Sequence, residues 1–75
     1  MIDYTTHIQS NPDVMLGKPT IKGTRITVEH VLTKIASGYS MDEILEMYPH
    51  LQLADLLAAI GYAAAVIASE EVISA

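Results

Sequence analysis

No cysteine occurs in the chain, so neither a disulfide nor a thiolate-bound metal can supplement its core. Lysine and arginine are absent from Ile35 to Ala75, a span that carries six acids: Asp42, Glu43, Glu46, Asp55, Glu70 and Glu71. A surface of that sign repels nucleic acid, so any contact with DNA is confined to the first half of the chain. Long apolar runs are lacking too. The longest, Leu56 to Ala68, is 13 residues, short of the 18 or more of a membrane-spanning helix. The opening MIDYTTHIQ has no basic segment and no apolar stretch of signal-peptide type. A cytoplasmic protein is expected.

What is present is a great deal of apolar side chain for so short a chain. Hydrophobic residues make up 51% of 75 positions, mean hydropathy is +0.32 and net charge is -5. A chain of this length is one domain, and it buries only about 60–65% of the surface that it exposes when unfolded. Packing alone is then marginal, and self-association is the available supplement.

Local signals divide the chain. Residues 4–9 mix aromatic, β-branched and polar side chains, as a short strand does. Asn11-Pro12 and Gly17-Lys18-Pro19 are turn punctuation, and 19–27 reads as an extended or hairpin-like β arm about Gly23. Three helices follow, giving a mainly α fold over 28–75 behind a β arm at 1–27. Val28, Val31, Leu32, Ile35 and Ala36 recur at helical spacing, Thr27 is a fitting N-cap, Glu29 suits the first turn, and Gly38 supplies the stop. Ser40-Met41-Asp42-Glu43 has the form of a capping box for a helix of about 41–48, ended by Pro49. The third helix covers about 52–69. Its Gln52-x-x-Asp55 start is a weaker version of the same box, because glutamine is a poor N-cap. The Gly38-Tyr39-Ser40 link suits a steep turn between helices, as in helix-turn-helix units.

The third helix is apolar nearly all round, with Asp55 its one ionic side chain between Leu53 and Ala68. A helix of that kind is normally buried. One stripe is large (Leu53, Leu56, Leu57, Ile60, Ala64, Ile67) and is expected to face the core. A second is small (Ala54, Ala58, Gly61, Ala65, Ala68) and is expected to meet a partner chain, since small residues let helices approach closely.

Candidates for chemistry are few. Gly17-Lys18-Pro19-Thr20 lacks the preceding glycine of a phosphate-binding loop. His7, His30 and His50 are not spaced to share a metal, and His30 is expected to pair with Lys34 or Glu29. No catalytic residue, metal site or cofactor is assigned, and an enzyme is not expected. Lys18, Lys22 and Arg25 cluster on the arm. They could grip phosphates from a wing-like turn, or form a solvated polar face, or Arg25 could be held by a carboxylate such as Glu29. The third helix offers a base edge only Gln52, so sequence reading by that helix is disfavoured.

The run Gly17-Lys18-Pro19-Thr20-Ile21-Lys22-Gly23-Thr24-Arg25-Ile26-Thr27-Val28 resembles the G-K-P-x-I-x-G-T-R-I-x-V hallmark of the prokaryotic "domain of unknown function 433" family. The likeness continues at Ala36-Ser37-Gly38-Tyr39-Ser40, at Ile44-Leu45-Glu46-Met47-Tyr48-Pro49-His50-Leu51, and around Tyr62-Ala63. It departs at Gln52, where a Thr or Ser cap is usual. The resemblance implies a homeodomain-like, three-helix DNA-binding fold related to VapB-type antitoxins. It further implies a homodimer that binds its own promoter and occludes a PIN-like ribonuclease toxin. A protein-interaction module of the same shape without DNA binding is the alternative.

Overall fold

The computed structural model describes residues 3–69; Glu70, Glu71 and the end of the chain lie outside the described residues. The fold is mainly α, with a two-stranded antiparallel ribbon, as the sequence leads one to expect. Strand β1 (Ile8–Gln9) pairs with β2 (Thr20–Ile21) in the register Ile8 to Ile21 and Gln9 to Thr20. Helices α1 (Val28–Ala36), α2 (Met41–Met47) and α3 (Leu53–Ser69) follow.

The arm is shorter in strand than residues 4–9 suggest. Tyr4–Thr6 coil into a single 3-10 turn, because the Asp3 carboxylate accepts from both the hydroxyl and the amide of Thr5. Those bonds hold the Asp3 carboxyl below the usual carboxylate range. The hairpin-like bend about Gly23 does form. The Thr24 amide donates to the Ile21 carbonyl at 3.0 Å, and Gly23 sits third in that turn with φ +80°, as a type II turn requires. Thr20 bridges Thr27 across the bend, and the Val28 amide donates to the Pro19 carbonyl at 2.9 Å. The hallmark run thus closes on itself and delivers the chain into α1.

Each helix start has a local cause. The Thr27 hydroxyl accepts from the His30 amide at 3.0 Å. At α2 the capping box is complete: Ser40 Oγ accepts from the Glu43 amide and Glu43 Oε1 from the Ser40 amide. At α3 only half of the box exists. Asp55 Oδ2 accepts from the Gln52 amide at 2.9 Å, whereas no bond from the Gln52 side chain returns the favour among the described residues.

The core gathers Ile21, Val28, Val31, Ile44, Leu51, Leu56 and Ala59, with Ile8, Leu32, Leu45 and Tyr62 packed around it. Fully burying the leucine or isoleucine members contributes roughly 1.5–3 kcal/mol each. The faces of α3 correct the expectation from its stripes. Of the large stripe only Leu56 is buried; Leu53, Leu57, Ile60 and Ile67 are 48, 43, 36 and 62% exposed, and Ala64 is exposed as well. Of the small stripe, Ala58 is fully buried within this chain and Ala54, Gly61 and Ala65 are half-buried, leaving only Ala68 exposed. The reason is steric. The N-terminal segment and α1 lie against α3, and they approach closely because the residues beneath them are small. Tyr4 sets its ring edge-on to Tyr62 at 5.7 Å, and His7 reaches Asp55 on the same side.

Candidate functional site

Two surface features adjoin on α3. The first is the bare face itself. At about 100° per residue, Ile67, Ile60, Leu53, Ala64, Leu57 and Ala68 fall within one arc of about 100°. All six are exposed, all are apolar, and no ionised side chain interrupts them. Five of these (Leu53, Leu57, Ile60, Ala64, Ile67) recur at intervals of 4, 3, 4 and 3, the spacing of a coiled-coil seam. Gly61 lies on the flank of this face, and a methyl group added there would meet nothing within 4 Å.

The second feature is a cleft of about 470 Å³ between α1 and the C-terminal half of α3. Leu32, Ala36, Tyr62, Ala63, Val66 and Ile67 form its apolar walls, and Lys18 and Glu29 stand at its rim. Ile67 belongs to both cleft and seam, so the apolar surface is continuous around one end of the helix.

The basic residues separate. Lys18 Nζ lies 3.4 Å from Glu29 Oε1, so of the alternatives for the arm the one that holds Arg25 on Glu29 is not realised. Both side chains are exposed, so the pair contributes at most a few tenths of a kcal/mol to about 1 kcal/mol. Lys22 and Arg25 stay exposed at the turn and form no ion pair among the described residues. Lys34 is engaged elsewhere, with its ammonium 5.2 Å from the centre of the Tyr39 ring.

The histidines also find partners that local spacing could not indicate. His30 Nε2 is hydrogen-bonded to the Tyr48 hydroxyl at 2.6 Å, not to Lys34 or Glu29. That contact ties α1 to the end of α2, and the Tyr48 ring in turn meets His50 edge-on. His7 Nδ1 lies 2.9 Å from Asp55 Oδ1 in a partly buried pair. With its other oxygen on the Gln52 amide, Asp55 joins the arm to the first turn of α3.

Among the described residues, no helix is long and apolar enough to cross a membrane.

Comparison with known proteins bears on the same elements. The family model described as "Protein of unknown function (DUF433)" matches residues 8–63, from β1 into the second half of α3. The uncharacterized protein y4eO of Sinorhizobium fredii is 36% identical over 58 residues, which is 77% of this chain and 26% of that protein. The crystal structure of a DUF433 member protein from Anabaena variabilis superposes with a TM-score of 0.76 at 36% identity, covering 79% of this chain and 58% of that one. This chain therefore spans only part of the length of either relative. Sequence match and superposition agree on one assignment: the chain belongs to the DUF433 family.

Proposed function

We propose that the chain is a non-catalytic, antitoxin-like regulatory protein of helix-turn-helix shape that works as a homodimer through the outward face of α3. The observation that carries the homodimer is the bare arc from Leu53 to Ala68, which is apolar without a break, while the antitoxin-like role rests on the family resemblance alone. A contiguous apolar patch on a soluble chain marks an interaction surface. The α1–α3 cleft then receives an apolar segment of a PIN-like ribonuclease toxin, and Lys22 and Arg25 meet the phosphates of promoter DNA.

A second reading, a protein-interaction module that binds no DNA, is favoured by one specific observation. Reading base edges takes Arg, Lys, Asn or Gln side chains. The exposed arc of α3 offers none of them.

Three measurements on the purified chain separate the parts. Sedimentation velocity at micromolar protein is expected to give a dimer, and Ile60→Glu a folded monomer. A wild type that sediments as a monomer rules out the homodimer. Co-expression with the product of the neighbouring gene is expected to yield a stable complex that Val66→Glu disrupts. Mobility shift on the chain's own promoter is expected to be sensitive to salt and lost in the double variant Lys22→Ala, Arg25→Ala. Absence of any shift would leave the interaction module as the function.

A further inference from the structure

We propose that the occupant of the α3 face is a second copy of this chain packed antiparallel to the first. This rests on the homodimer reading above and adds the orientation of the two copies.

Two observations point to a second copy and a third to its orientation. The first is area. The six residues of the arc leave roughly 400–500 Å² bare per copy, so a symmetric pair that covers all of them buries about 800–1,000 Å², which only reaches the lower limit for a specific interface. The second is charge. Two copies that each carry -5 repel one another, but none of their ionised side chains sits on this arc. They can meet there without burying a charge, and a two-fold pair uses the same patch on both.

The third observation is the order of side-chain sizes along the seam: Leu53, Leu57, Ile60, Ala64, Ile67. In a parallel pair each residue faces its own copy, so Ala64 meets Ala64 and leaves a void between two large layers. In an antiparallel pair Ala64 faces one of Leu53, Leu57 or Ile60, depending on register, and every layer holds at least one large side chain. Cores pack best when large residues face small ones and no cavity remains. Opposed helix dipoles act in the same direction. Gly61 and Ala68 on the flank let the two helices approach closely.

The absence of native cysteine makes orientation directly measurable. Leu53→Cys and Ile67→Cys variants, each checked by sedimentation, are treated with a bis-maleimide that spans about 10 Å. The two positions are 14 residues apart, or roughly 21 Å along the helix. An antiparallel dimer leaves each variant alone largely unlinked and links a mixture of the two, resolved by a size tag on one chain. A parallel dimer links each variant with itself and not the mixture. Self-linking in a dimeric sample overturns the orientation while the homodimer stands. A monomer in sedimentation overturns both.

Discussion

Asp55 uses its two oxygens for two tasks: Oδ1 meets His7 and Oδ2 caps the start of α3 through the Gln52 amide. Asp55→Ala removes both bonds and uncaps the first turn, so an expected loss of roughly 1–3 kcal/mol follows. Urea unfolding checks it, and a loss below about 0.5 kcal/mol would show the carboxylate to be dispensable. Asp55→Asn keeps an acceptor oxygen and is expected to cost less. A double-mutant cycle with His7→Ala isolates the share of the pair. Half of this site was legible in the sequence. The capping role follows from Asp55 standing three residues after Gln52, a purely local relation. The His7 contact spans 48 positions and depends on where the arm crosses α3, which no spacing rule encodes. The same holds for His30, whose partner Tyr48 lies 18 positions away, just past the end of α2.

At the scale of elements, helix starts and the inner face of α1 (Val28, Val31, Leu32, Ile35) read well, whereas the faces of α3 did not. The box at Ser40 and Glu43 was legible because it needs only residues three apart, and its bonds pull the Glu43 carboxyl below the usual range, the Ser40 amide first and its hydroxyl second. The carboxylate is hydrogen-bonded when the chain is folded and free when it is unfolded, so on acidification the unfolded state takes up the proton first. Its contribution is therefore present above the ordinary glutamate range and lost as pH falls through the lowered folded value. The Tm advantage of wild type over Glu43→Gln is expected to shrink between about pH 7 and pH 3. An advantage independent of pH would remove the carboxylate from the account. On α3, by contrast, hydrophobicity could not choose the inner face, because nearly every position is apolar. The choice was made by residues with specific needs: Asp55 turned towards His7, Tyr62 towards Tyr4, and the small side chains between them went inward. Two adjacent leucines test the resulting assignment. Leu56→Ala removes a fully buried side chain and is expected to cost 2–5 kcal/mol of folding stability. Leu57→Ala, 43% exposed in one chain, is expected to cost far less folding stability at high dilution and to weaken association instead. Equal losses in dilute urea titrations would place both leucines in one core.

For the whole molecule, the proposed homodimer would couple stability to assembly. Among the described residues eight apolar side chains are buried, which is few for a chain with 51% hydrophobic composition, and the largest uncovered share lies on one helix. Covering it in a dimer that forms only from folded chains adds the free energy of association to that of folding, and mass action then links both to protein concentration. A tenfold rise in concentration is worth roughly 1.4 kcal/mol per dimer, or a few degrees of Tm for chains of this size. Calorimetry from low to high micromolar protein is therefore expected to show a rising Tm for wild type. Ile60→Glu, with a carboxylate in the middle of the seam, is expected to show the same lower Tm at every concentration, while its far-ultraviolet spectrum stays helical. If the wild-type Tm is also independent of concentration, the bare face of α3 contributes nothing to stability, and this chain holds its fold unaided.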